Sequence, residues 1–223
     1  MGRFCYCSKV LPGKVDVIRN RKANKKTHVE DEGPFWQALG MTGFASWLQG
    51  DHMIHCLEGE SLEKIFTGLR EQIQKGNKVA LDLHAFYLDA FGKDYRSVEV
   101  EPKIECLLDL SVPNKPPAPV KKGFFYPLLP HKEQDHRRFR LESSGKKKER
   151  HLASMAAFGV YKLTSWLQTT PQGKYIVCYS EREHLDHAAN KGLNSPEWQE
   201  IAKELIDQTG LSAKDLSPAV EWL

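Results

Sequence analysis

The chain has 223 residues, 40% of them hydrophobic, with 32 basic against 29 acidic side chains and a net charge of +3. That length allows one large domain or two small ones. The near-balance of charge speaks against a dedicated nucleic-acid binder, and no apolar run approaches the ~20 residues of a membrane span. Five cysteines, an odd number, and the lack of a leader-like segment predict free thiols in a reducing, cytoplasmic setting.

The first element is a short strand over residues 3–10, followed by a basic loop carrying Arg19, Arg21, Lys22, Lys25 and Lys26. Thr27-x-x-Glu30 is a capping box that opens a helix through Phe35, Trp36 and Leu39 to Gly40. Two strands, residues 41–49 and 52–58, are separated by a turn and read as a hairpin. Leu62, Ile65, Phe66, Leu69 and Ile73 then keep helical spacing. Gly76-Asn77 breaks that helix before a second piece with Leu83, Tyr87, Leu88 and Phe91, and Gly92 suits its left-handed stop. An apolar run from Pro102 to Leu108 closes the half as a strand.

The same signals then recur. Ser46-Trp47-Leu48-Gln49 returns as Ser165-Trp166-Leu167-Gln168, and Leu11-Pro12-x-Lys14 as Leu129-Pro130-x-Lys132. Gly40 matches Gly159, Ile54-x-Cys56 matches Ile176-x-Cys178, and Leu88-Asp89-x-x-Gly92 matches Ile206-Asp207-x-x-Gly210. One order with slowly drifting offsets predicts a tandem duplication. The second copy holds a strand over 123–129, a basic loop with Arg137, Arg138, Arg140, Lys146, Lys147 and Lys148, and a helix with Leu152, Met155 and Phe158. A hairpin over 160–168 and 174–180 follows. Ser195 then caps a helix with Pro196 at its first position, and a final strand runs after Pro218. The predicted organisation is a first unit over 1–110, a linker over 111–121 with four prolines between 113 and 119, and a second unit over 122–223.

Each unit reads β-α-β-β-α-β, the ferredoxin-like pattern, so the fold class is α+β. On the third strand Met53, His55 and Leu57 share one side, matched by Tyr175, Val177 and Tyr179; Ile54 and Cys56 share the other, matched by Ile176 and Cys178. Apolar residues on both sides predict cover on both. On this element order and repeat, the chain resembles the dimeric α+β barrel superfamily, most closely its uncharacterised members. The resemblance implies two units packed sheet to sheet as an intramolecular barrel, either a monomer that mimics a dimer or a homodimer. The superfamily includes monooxygenases and haem-degrading enzymes, so haem enters as a lesser alternative to no cofactor at all.

No catalytic motif stands out. Aromatic residues on strands, Tyr6, Trp47, Trp166, Tyr175 and Tyr179, together with His55, predict a site for a small apolar or aromatic molecule. A desolvated His55 is the candidate general base. Trp47, Trp166 and His55 also imitate part of the Asn, Trp and His set that the resemblance brings from small haem-degrading barrels. Cys5-x-Cys7 places two thiols on one strand face, but no second pair at zinc spacing follows, so no metal is expected. His184-x-x-His187 lies on one predicted helix face and is a lesser ligand candidate. Two further readings remain: a cofactor-independent or haem-using monooxygenase-like enzyme, and an interaction protein with a solid barrel.

Overall fold

A computed structural model describes residues 2–23, 29–115, 118–183, 194–213, 215–216 and 218–223. The chain is a mixed α+β protein with two four-stranded antiparallel sheets, as the element pattern predicted. It divides into two compact units. The first ends at Pro102 and also takes in Leu223; the second is Lys103–Trp222.

The first half contains β1 (Gly2–Lys9), α1 (Val15–Ala23), α2 (Val29–Ala38), β2 (Met41–Gln49), β3 (His52–Gly59), α3 (Leu62–Gln74), α4 (Lys78–Phe91) and β4 (Lys103–Ser111). The second contains β5 (Val120–Leu128), α5 (Glu133–Ser144), α6 (Lys148–Ala157), β6 (Val160–Thr170), β7 (Gly173–Arg182), α7 (Pro196–Thr209) and β8 (Glu221–Trp222). Local chemistry accounts for several boundaries. Asn77 starts α4 by accepting a hydrogen bond from the Ala80 amide, and Ser195 starts α7 by accepting one from Trp198. Gly92 and Gly210 end the same helices with φ of 66° and 71°, a region any Cβ would disfavour.

Three expectations are corrected. Both basic loops are helical, α1 and much of α5; Arg19, Arg137 and Arg138 pair with acidic neighbours there, Asp16, Glu133 and Asp135. Lys25 and Lys26, Thr27 of the capping box, and the His184–His187 pair lie outside the described residues. The final strand of each half was expected in its own sheet, and the first unit to reach residue 110. Instead the orders are β1-β3-β2-β8 and β4-β6-β7-β5, so β4 belongs to the second sheet. The reason is generic: an exposed sheet edge offers the same row of N–H and C=O groups to any strand. The described linker residues between β4 and β5 are exposed or half-buried.

The third correction concerns the thiols. β1 pairs with β3 so that Cys5 stands opposite Cys56, with 4.2 Å between their Cα atoms, and the two form a disulfide. Cys7, Cys106 and Cys178 are in no disulfide. Cys7 is buried, which pushes its thiol up to about 12, so neither member of Cys5-x-Cys7 offers a thiolate to a metal. Thiol titration of the unfolded, unreduced chain should therefore count three groups, and five after reduction.

Candidate functional site

In the first unit the β1–β3 and β2–β3 registers place Tyr6, His55 and Ser46 in one row across the sheet. Their face is the one covered by helices: Tyr6 meets Phe66 of α3 at 6.2 Å between ring centres, and His55 meets Tyr87 and Phe91 of α4 at 6.0 and 5.8 Å. The face that carries His55 looks at the helices. The alternate residues Cys5, Cys7, Ile54, Cys56 and Trp47 occupy the opposite face and are also buried.

Between this sheet and its helices lies a cavity of about 420 Å³. Tyr6, Phe44, Met53 and Leu57 come from the sheet, Ile18 and Arg21 from α1, Trp36 from α2, Phe66 and Leu69 from α3, and Leu83, Phe86 and Tyr87 from α4. The helical periodicity had picked out Phe66, Leu69, Leu83 and Tyr87; nothing in the sequence shows that they stop short of filling the space. Ile18, Phe44 and Phe86 were not singled out, and Arg21 was read only as part of a basic loop. Tyr95 adds a third phenol and Leu223 a last apolar wall, held by its amide donating to the Ser46 carbonyl at 3.0 Å. At the rim, Arg21 Nη2 donates to Glu32 Oε1 at 2.5 Å while its guanidinium lies 4.4 Å from the Phe86 ring centre. The pair neutralises itself, leaving an aromatic and aliphatic interior.

His55 is fully buried and stacks on Tyr6 with 4.8 Å between ring centres and 22° between planes. It does not line the cavity; Tyr6, Phe44 and Tyr87 stand between, each touching the His55 ring on one side and the cavity on the other. Neither ring nitrogen has a hydrogen-bond partner among the described residues. Burial, followed by the Lys93 ammonium, pulls its pKa down to about 3. The imidazole is therefore neutral at pH 7 and far too weakly basic to be a good general base there.

The other predicted ligand residues do not line the cavity. Trp47 lies on the opposite sheet face. Trp166, Tyr175 and Tyr179 belong to the second sheet, where Tyr179 donates to Glu181 Oε1 at 3.1 Å and Tyr175 packs on Phe125. Their matching to the third strand was one residue out: Trp47 stands opposite Ile54 and Trp166 opposite Val177, so Cys178, not Val177, occupies the place of His55. A slip of one residue reverses the face. Tyr175, Val177 and Tyr179 thus point away from the side on which Ile176 and Cys178 pack with Phe139, Ile201 and Leu205.

On the helix-facing side of the second sheet the buried apolar residues form a packed core. Phe139 sits in that core, beside a buried polar chain from α5 to α7. Arg140 Nε donates to His136 Nε2 at 3.1 Å, and the other ring nitrogen of His136 meets Gln208 Oε1 at 2.7 Å. Nε2 must accept, so Nδ1 carries the proton and His136 is neutral, consistent with a pKa lowered to about 3 by burial and then by Arg140. A polar depression of about 360 Å³ between α5 and α7 is walled by carboxylates already paired, Asp135 with Arg138, Asp207 with Lys132, and Glu142 and Glu204 with Lys147.

Among the described residues no group of three His, Cys, Asp or Glu side chains is placed to hold a metal, and no histidine lines the cavity. The cavity residues therefore offer a haem no imidazole ligand. Among those residues no helix is long and apolar enough to cross a membrane.

No known family matches the chain, and no curated protein matches it. Solved structures are similar to it, three of them as follows. An anthrone oxidase-like protein is 10% identical, covers 99% of this chain and 89% of its own, and has a TM-score of 0.53. A protein from Lactobacillus acidophilus NCFM, provisionally assigned as a monooxygenase, is 14% identical over 100% of this chain and 93% of its own, with a TM-score of 0.49. Another with the same provisional assignment, from Fusobacterium nucleatum subsp. nucleatum ATCC 25586, is 11% identical over 92% and 86%, with a TM-score of 0.48. The likeness to the first is one of fold alone.

Proposed function

We propose that the chain is a duplicated α+β protein whose first unit binds one small, neutral, largely aromatic molecule between sheet and helices. The carrying observation is the cavity itself: about 420 Å³ bounded by Tyr6, Phe44, Trp36, Phe66 and Tyr87, a size and lining suited to a small organic ligand. Duplication is supported by the like order of elements and by Trp47 and Trp166 on the corresponding strands β2 and β6. His55 is the polar partner in this reading. A buried imidazole with both nitrogens unpaired costs roughly 1–3 kcal/mol, and a ligand hydroxyl or carbonyl that displaces the Phe44 ring would remove that penalty. Phe44 is 47% exposed and therefore has room to move.

The enzyme reading, a cofactor-independent monooxygenase-like enzyme, is second. It needs a base near neutral pKa in the cavity, and His55 at about 3 is not one. Native extraction followed by mass spectrometry of copurifying small molecules tests the ligand directly. Titration with N-phenyl-1-naphthylamine provides a neutral aromatic probe. Leu83→Trp, which fills the cavity from α4, should weaken that binding at least about tenfold while the protein stays folded. Equal binding by the variant, or no binding by either protein, would remove the reading. Oxygen uptake with a bound phenol would instead favour the enzyme.

A further inference from the structure

Several lysines among the described residues are held by carboxylates. Lys14 pairs with Asp89 at 2.5 Å, Lys132 with Asp207 at 2.7 Å and Lys147 with Glu142 at 2.7 Å. Lys93 has no carboxylate partner among the described residues. It follows Gly92, whose left-handed turn brings the chain back toward the sheet, and its amide donates to the Tyr87 carbonyl at 3.3 Å. From there the half-buried side chain reaches β1. Its Nζ donates to Ser8 Oγ at 2.7 Å and lies 5.8 Å from the Tyr6 ring centre.

An ammonium carries three N–H donors, and here one neutral hydroxyl is the sole side-chain hydrogen-bond acceptor found for them among the described residues. The groups facing it supply no negative charge at neutral pH. Burial keeps the Cys7 thiol and the Tyr6 phenol protonated, and His55 is neutral. Asp94, next in the chain, is turned to Arg96 at 2.6 Å. A cation so placed loses hydration without gaining a counter-ion, so its amine form is favoured, and the pKa falls to about 8 chiefly through burial. A lysine in that state is a nucleophile.

We propose that Lys93 is a reactive amine that condenses with a small aldehyde or ketone to form an imine. The Nζ lone pair attacks the carbonyl carbon. The two amine protons leave with the carbonyl oxygen as water, and a C=N bond replaces C=O, with no oxidant or reductant required. Ser8 Oγ, already in contact with Nζ, can hand a proton to the departing hydroxyl. This site is distinct from the aromatic cavity and does not rest on the ligand reading above.

The test uses the native 223-residue chain with limiting propanal and cyanoborohydride at pH 7, followed by peptide mass mapping. At that pH a pKa near 8 leaves roughly 200- to 300-fold more free amine than an ordinary lysine, partly offset by lower intrinsic nucleophilicity. Lys93 should thus be alkylated at least about tenfold faster than Lys14 or Lys132. The preference should vanish in urea, and the Lys93→Arg variant should lack the fast-reacting site. Labelling of Lys93 at or below the rate of Lys14 in the folded protein would overturn the assignment, as would a preference that survives in urea.

Discussion

Phenylalanine in place of His55 is expected to stabilise the folded chain at pH 7 by about 1–3 kcal/mol, the penalty of two unsatisfied buried nitrogens. The surroundings are already aromatic, with Tyr6, Phe44, Tyr87 and Phe91 around the ring, so a six-membered ring of similar outline meets compatible neighbours. The substitution should also change the acid limb of the stability curve. His55 titrates near 6.5 when unfolded and about 3 when folded. Between those values the unfolded chain takes up a proton that the folded chain refuses. Stability is therefore full above pH 6.5 and falls as pH drops toward 3, with a slope of at most about 1.4 kcal/mol per pH unit for each such imidazole. His136, at about 3, and His151, at about 4, share the window through burial of their own. Urea unfolding of both proteins from pH 7 to pH 4 should show His55→Phe more stable throughout and shallower by one imidazole's share. A variant less stable than the parent at pH 7 would mean that His55 has a partner and is not an orphan. Weakened binding of the aromatic probe by this more stable variant would separate a ligand role from a structural one.

Truncating either buried tryptophan should cost far more. Trp47 and Trp166 are each almost wholly buried, on β2 and β6, and a large-to-small change of this kind typically costs about 3–5 kcal/mol. Against a total stability of roughly 5–15 kcal/mol, Trp47→Ala or Trp166→Ala should leave the chain marginal at 37 °C, read as a drop in melting temperature or in soluble yield. The milder Trp47→Phe makes the result informative about the site. Trp47 lies on the sheet face opposite the cavity, so the folded variant should keep probe binding within about twofold, whereas Leu83→Trp should weaken it at least about tenfold. If Trp47→Phe weakened binding as much as Leu83→Trp, the cavity would not be where the ligand sits.

The local grammar of this chain was legible in its residues. The β2–β3 hairpin, the break at Gly76-Asn77, the Ser195-Pro196 start and the Gly92 and Gly210 stops all follow from period, capping and left-handed glycine, which act over a few residues. Polar helices without a strong apolar face were not legible: α1 and α5 carry runs of charge that read as loops, and their helicity depends on neighbours such as Asp16, Glu133 and Asp135. Tyr6 and His55 could be named as site candidates because an imidazole in an apolar strand is conspicuous. Their neighbours Phe44, Phe66 and Tyr87 could not, since a residue lining a cavity and a residue filling a core have the same pattern.

What the sequence by itself determined is the class of each strong element and the alternation that buries both faces of β3. Tertiary structure decided the rest. It chose which sheet receives β4, because edge hydrogen bonds are indifferent to side chains. It set the register that pairs Cys5 with Cys56 and puts Cys178 where a repeat alignment puts Val177, because a strand can shift one residue and exchange its faces. It also decided that the first sheet and its helices enclose a space, while Phe139, Ile201 and Leu205 pack the corresponding region of the second. A cavity is a difference between volumes contributed by distant residues, and no local pattern encodes that difference.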